Sequence, residues 1–308
     1  MKENFDLLLE RVIDTLEKSD LLAIKQQLES IKGNTVLVGA GGSGVVATFA
    51  SKALDIPDVR SSRDLNYMNL DNIDNIIVFS YRGKGYTIEN LLNKNKNMYI
   101  FTNGENDYDN VVNIKYNNTI KKEDSFISLA ATLMPMAILL YVKEIPIRGE
   151  LEFLIERMFW KVKEEDLNIH HNKVYEILTG YDSMTASHFL ESTMTESGIA
   201  TPVVHDKYDY CHGRTTLSYK SNNGLIIFDS NKELDRLILE NAKNYYTEIV
   251  KINKYYKGED GINICNDFYD TICSMYLAKH LAENKNMDLS KVDYSPFVKK
   301  LYLYRGEM

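Results

Sequence analysis

Four glycines and a serine fall within six residues, Gly39, Gly41, Gly42, Ser43 and Gly44, directly behind an apolar run from Thr35 to Val38. Val45, Val46, Phe49 and Ala50 follow at helical spacing. A buried strand that breaks into glycines and resumes as a helix gathers backbone N–H groups at the helix start, where the macrodipole favours negative charge. The Ser43 hydroxyl adds a donor to the same turn. These residues predict an anion site, and phosphate is the anion it suits.

Two similar loops follow. The apolar run Asn75 to Phe79 ends in Ser80, and Tyr81-Arg82-Gly83-Lys84-Gly85 then leads into a helix near Thr87. Met98 to Phe101 ends in Thr102-Asn103-Gly104. In parallel sheets ligands sit beyond the carboxyl ends of the strands. Gly41, Ser43, Ser80, Arg82, Gly83, Thr87 and Thr102 are therefore expected to converge on one phosphate. Hydroxyls and backbone N–H groups would do most of the holding, with one guanidinium beside them. Each of these residue types also serves turns and helix caps. Their recurrence after successive strands is what favours a binding edge.

Gly39, Gly41 and Gly44 also fit the G-x-G-x-x-G of dinucleotide sites. That motif calls for an acidic residue at the end of the next strand to hold the ribose. Asp55 and Asp58 lie near the required separation, but the next clear strand ends in Ser80. A nicotinamide cofactor is thus the lesser reading, and no cofactor is expected. His170, His171, His188 and His205 show no metal-ligand spacing, so no metal is expected and they read as structural or surface residues.

The elements that must place these loops are strands alternating with helices, the pattern of a parallel α/β sheet. An amphipathic helical lead-in over residues 3–31 comes first; its apolar face suits either its own chain or a partner. A helix runs from the glycine turn to about Leu54. A short strand spans Val111 to Ile114, and an apolar helix spans Ser125–Val142. The second half repeats the scheme. It has strands at Val174–Leu178, Gly224–Phe228 and Thr247–Ile252, and helices at Ser183–Ser197, Lys232–Tyr245 and Ile262–Glu283. Glu150 to Lys163 reads as the helix joining the halves, and the tail from Pro296 has no clear period.

With 308 residues the chain can bury a full core and hold two domains of similar size. A net charge of −8 argues against a nucleic-acid surface, which needs clustered Lys and Arg. Three cysteines without CxxC spacing predict neither a disulfide framework nor a zinc site, and a reducing compartment. Cys211 reads as a buried thiol. The polar N-terminus is unlike a signal peptide, and Phe126 to Val142 is shorter than the ~20 residues of a membrane span, so a cytoplasmic protein without membrane contact is expected.

The sequence resembles the sugar isomerase (SIS) domain family. Gly39-Ala40-Gly41-Gly42-Ser43 matches its Gly-x-Gly-x-Ser, and Ser80-x-x-Gly83 matches its second loop. Lys122-Glu-Asp-Ser-Phe-Ile-Ser128, leading into a helix, matches a third segment. The family's second loop reads Ser-x-Ser-Gly-x-Thr. Here Arg82 replaces the second serine, and two extra residues precede Thr87. Cys211-His212-Gly213-Arg214 resembles the His-Gly-Pro of the isomerase domains of glucosamine-6-phosphate synthases. Thr195-Glu196-Ser197 stands upstream at the spacing of their Lys-Glu-Ile-Ser.

The resemblance implies an α/β fold of two tandem SIS domains, each a flavodoxin-like parallel sheet flanked by helices. The expected divisions are a lead-in at 1–32, a first domain at 33–160 and a second with its tail at 161–308. It implies a phosphorylated sugar or amino sugar as ligand and a homodimer whose subunits complete each other's sites. Glu196 would be the base and His212 the ring-opening group, with Lys299 or Lys300 the nearest equivalent of a lysine that the family's tail supplies. Isomerase, deaminase and deglycase reactions all fit, since each passes through an open-chain enediol or enolamine. The family also includes non-catalytic sugar-phosphate sensors, which is the alternative.

Overall fold

The computed structural model describes residues 1–61, 69–92, 94, 96–145, 148–165, 169, 172–256 and 263–291. Three helices open the chain: α1 (Lys2–Asp6), α2 (Leu8–Lys18) and α3 (Leu21–Ser30). Phe5, Leu8, Val12, Leu16, Leu21, Ile24 and Leu28 are all buried against the rest of the same chain. The apolar stripe of the lead-in is thus covered within the chain itself.

The first sheet follows from β1 (Thr35–Gly39), α4 (Gly42–Ala53), β2 (Val59–Ser61), β3 (Asn75–Phe79), α5 (Tyr86–Leu92), β4 (Asn97–Thr102) and β5 (Val111–Lys115). Its strands are all parallel, in the order β2-β1-β3-β4-β5. The connection reverses direction between β1 and β3, so the Gly39 and Ser80 loops leave the sheet at its switch point. Helices α6 (Ala130–Val142) and α7 (Arg148–Glu164) then lead to the second half.

The second sheet uses β6 (Val174–Thr179), α8 (Met184–Ser197) and β7 (Thr201–Asp206). Behind β7 come a helical turn α9 (Lys207–Asp209), a wide turn at Tyr210–Arg214 and a short α10 (Thr215–Ser218). The half finishes with β8 (Gly224–Asp229), α11 (Glu233–Ala242), β9 (Glu248–Asn253) and α12 (Asn263–Asn284). The order is β7-β6-β8-β9, again parallel.

Strand residues alternate between the two faces of each sheet. Leu37, Ile77 and Phe79 point inward, as do Ile177, Ile226 and Phe228 of the second sheet. Val36, Val38, Ile76 and Val78 point outward under α5, while Leu225 and Ile227 point outward under α11. The inward faces and the helices between them form one apolar cluster running from Phe5 to Leu289. The expected parallel α/β layers are present as two sheets, and these share a single core rather than dividing into two separate ones. The expected boundary after residue 160 falls inside α7.

Two strands escaped the sequence. β2 has only three residues, and β7 carries Pro202 and a half-exposed edge. The apolar helix α6 starts at Ala130 rather than Ser125, because the Glu123 carboxylate accepts from the N–H groups of Leu129 (3.1 Å) and Ala131 (3.3 Å) and so caps it there. This helix is buried nearly all round, as expected of a core helix. Among the described residues no helix is long and apolar enough to cross a membrane.

Helices α4 and α8 pack side by side in opposite directions. Near the end of α4, Lys52 Nζ lies 2.5 Å from Asp267 Oδ2 on α12 and donates to the Tyr181 carbonyl, at the approach to α8. Thr185 Oγ1 and Ala186 N on α8 donate to the same carboxylate. The Lys52 and Asp267 side chains are 5% and 0% exposed. A buried pair broken on one side leaves an uncompensated charge. Lys52→Ala is therefore expected to destabilise the chain by about 3–5 kcal/mol, read as a shifted urea midpoint.

Candidate functional site

The turn behind β1 closes over Gly39, where a Cβ would lie 2.2 Å from the Ser43 carbonyl oxygen. Gly41 has φ of +54°, which side-chain-bearing residues rarely adopt. Its carbonyl accepts from Gly44 N (2.8 Å) and Val45 N (3.2 Å), which starts α4. Among the described residues no side chain caps that helix start. The Ser43 hydroxyl takes no partner among the described residues, and neither do those of Ser80 and Thr87.

The second loop lies at the neighbouring strand end. Ser80 N donates to the Phe101 carbonyl and Gly83 N to the Ser80 carbonyl, both at 3.1 Å. Arg82 is exposed, and Thr87 sits in the first turn of α5. Thr102 departs from expectation. It is fully buried; its hydroxyl donates to the Tyr81 carbonyl at 3.3 Å and accepts from Gly104 N at 2.8 Å. That hydroxyl holds two loops together and has nothing left to offer an anion.

Glu196 arrives from the other half of the chain. It occupies the last turn of α8, and a Cβ on Gly41 would stand 3.9 Å from its Oε1. Ser192 Oγ donates to this carboxylate at 2.9 Å. Glu196 is exposed, yet the protein packed around its carboxyl takes away enough water to push it above the usual glutamate range; the Ser192 bond opposes the rise and the Glu191 charge adds to it. A cavity of about 990 Å³ opens here, lined by Gly39, Gly41, Arg60, His188, Glu191 and Glu196 among others.

Three of those wall residues were missed. Arg60 depends on β2, which is too short to read. His188 and Glu191 lie eight and five residues before Glu196 on one helix. Turn spacing on α8 was the available signal, and without a fixed anchor it does not single them out. His188 reaches across to α4, its Nδ1 being 3.4 Å from Thr48 Oγ1.

His212 is elsewhere. It is exposed on the wide turn behind β7, where Gly213 has φ of +121° and breaks the helix. Helix α8 returns from the end of β6 to the start of β7, so Glu196 precedes β7 and His212 follows it. A six-residue strand spans roughly 20 Å, and that length of sheet separates the two within one chain. Cys211, beside His212, is exposed rather than buried, because the turn projects it from the sheet edge; Cys265 and Cys273 are buried. Lys299, Lys300, His170 and His171 lie outside the described residues.

The second sheet has the same kind of strand-end edge, but its polar groups are already paired. Thr179 Oγ1 and Ser183 Oγ are 3.1 Å apart in one hydrogen bond, and Ser230 N donates to Asp235 at 2.6 Å. Lys207 pairs with Asp235 at 2.8 Å, and Lys254 pairs with Asp182. Among the described residues, the strand-end serine and threonine hydroxyls without a partner are those of the first sheet.

The sequence matches no protein-family model and no curated protein. Solved structures match along nearly the whole chain. Tagatose-6-phosphate ketose/aldose isomerase from Escherichia coli aligns with a TM-score of 0.70 at 15% identity, over 95% of this chain and 96% of its own. The C-terminal domain of glucosamine-fructose-6-phosphate aminotransferase from Francisella tularensis gives 0.68 at 14% identity, over 94% and 97%. Glucosamine-6-phosphate deaminase from Thermotoga maritima gives 0.65 at 16%, over 93% and 97%. The chain has the fold of these proteins, the fold that the motif resemblance implied. Each alignment spans both sheets of this chain.

The two hydroxyl environments separate stability from binding. Ser43→Ala is expected to keep the stability read from urea unfolding within about 0.5 kcal/mol of the parent, since the hydroxyl has no partner among the described residues. Thr102→Val strands a buried carbonyl and N–H and is expected to cost about 1–3 kcal/mol in the same measurement.

Proposed function

We propose that this chain binds a phosphorylated sugar or amino sugar. On this reading the phosphate lies at the Gly41–Ser43 turn, within reach of Ser80, Arg82, Gly83 and Thr87. The open-chain sugar extends toward Glu196, which acts as base. The observation that carries the reading is the meeting of Gly41 with the Glu196 carboxylate, an uncapped helix start facing a carboxyl whose proton affinity is raised. The names of the fold neighbours support the same substrate class.

The chemistry follows from the residue types. Glu196 takes a proton from the carbon next to the sugar carbonyl, giving an enediol or enolamine, and returns it to the adjacent carbon. Isomerisation and deamination share that first step. An imidazole that can pass a proton at neutral pH suits ring opening. In this proposal His212 supplies it from a second copy of the chain, because within one chain a strand's length separates it from Glu196. Lys299 is assigned to the sugar from the tail.

A sensor is the second reading. It is favoured by that same separation and by the altered loop at Arg82. The deciding experiment assays glucosamine 6-phosphate, fructose 6-phosphate and tagatose 6-phosphate for binding and turnover, with Glu196→Gln as control. An enzyme is expected to lose on the order of 10²–10⁴ in kcat on this change while keeping ligand affinity. Activity should fall toward acid with an apparent pKa above the ordinary glutamate value, because only the ionised carboxylate accepts the proton. Binding without turnover in the parent protein selects the sensor, and no binding of any ester defeats both readings.

Ser43→Ala is expected to weaken binding of the same esters about tenfold, the worth of one hydrogen bond to a charged group. Isothermal titration checks this.

A further inference from the structure

The turn that carries His212 leaves helical geometry at His212 and Gly213, yet it is anchored on both flanks. On the near side Tyr210 is buried, and its hydroxyl lies 2.7 Å from that of Tyr246. Tyr246 donates in turn to Glu176 Oε2 at 2.7 Å. Glu176 is a fully buried carboxylate on β6 and also accepts from Ser218 Oγ (2.6 Å) and Asn223 Nδ2 (2.8 Å). A charged group placed inside a sheet layer persists only when its lone pairs are filled, and here every filling group is a neighbour of the turn or of its exit helix.

On the far side Arg214 Nη1 donates to His205 Nδ1 at 3.1 Å. The guanidinium has no lone pair, so His205 must be the acceptor and its proton must sit on Nε2. Burial holds His205 below the usual histidine range and keeps it neutral, as that bond requires, although the Glu176 and Asp209 charges pull the other way and Arg214 reinforces burial. Between Tyr210 and Arg214, whose side chain is itself exposed beyond its His205 bond, lie Cys211, His212 and Gly213, all exposed.

We infer that Tyr210 and Arg214 are positioning residues for His212, clamping its turn to the buried Glu176–Tyr246 network and to His205. Arg214 stands where the resembled motif has proline. A proline would stiffen this turn through its own ring, whereas here the stiffness comes from a side-chain bond to the preceding strand. The inference rests on the proposed role of His212 but adds residues that touch no substrate.

The test uses Tyr210→Phe, which keeps the buried ring, together with Arg214→Ala, Arg214→Lys and His212→Ala, all in the full chain. Backbone hydrogen exchange over residues 210–215 is read beside kcat and KM on whichever of the three hexose phosphates is turned over. Tyr210→Phe and Arg214→Ala are expected to speed exchange in this segment about tenfold, leave β6 and β8 protected, and lower kcat with KM unchanged. Arg214→Lys, which still offers a donor to His205, should restore most of both.

Unchanged exchange in Arg214→Ala and Tyr210→Phe overturns the clamp. Faster exchange with full kcat, in a protein that His212→Ala inactivates, overturns positioning alone. Full activity in His212→Ala removes the catalytic reading of His212 and the inference with it, so the two failures look different.

Discussion

Everything proposed for this chain depends on α4 and α8 keeping a fixed, opposed alignment. The phosphate-suited turn belongs to the start of α4, and the carboxyl belongs to the end of α8. Three levels of contact set the register between them. Lys52 is bound to the approach to α8 and to Asp267, Thr48 touches His188 at mid-length, and Gly41 meets Glu196 at the far end. A slip of one helical turn is about 5.4 Å, enough to carry Glu196 out of reach of a ligand at the turn. The buried ion pair is costly to desolvate and is weak evidence for stability as such. Its use here is to fix one end of a lever whose other end is the site.

The opposed alignment also sets the electrostatics. Glu196 sits at the negative end of α8 and faces the positive end of α4. The first tends to raise its proton affinity, as the partial loss of water around the carboxyl and the Glu191 charge do. The second keeps an anion acceptable nearby. The same arrangement explains why one sheet holds the candidate site and the other does not. Both present parallel strand ends, but in the second the lysines, aspartates and hydroxyls satisfy one another. At the second edge the Lys207 and Lys254 charges are already neutralised by Asp235 and Asp182, whereas at the first edge the Ser43, Ser80 and Thr87 hydroxyls have no partner among the described residues.

Sequence periodicity located most elements to within two residues, because β1, β3 and β8 are continuous apolar runs whose glycine or serine punctuation is unambiguous. It failed where tertiary pairing overrides propensity. Val59–Ser61 is a strand only because β1 lies beside it. Thr201–Asp206 is an edge strand whose proline and histidine read as loop. The Gly39–Ser43 turn was legible since its backbone demands glycine. Glu196 was singled out only through a motif resemblance, since nothing in the residues around it says that the end of α8 meets a turn about 150 positions earlier. Thr102 misled for the opposite reason: a threonine at a strand end looks the same whether its hydroxyl faces out or bridges two loops.

The position of His212 is a consequence of handedness and chain order rather than of local sequence. A parallel β–α–β unit must run its helix back along the sheet before the next strand begins. A residue at the end of such a helix and a residue behind the following strand therefore lie at opposite sheet edges. Glu196 and His212 are bound by that rule, and no rearrangement of the Tyr210–Arg214 turn can overcome a whole strand's length. If both act on one sugar, two chains must contribute. In that case the stiffness of the turn matters more than it would inside one subunit, because a group presented to a partner has only its own anchors to hold its aim.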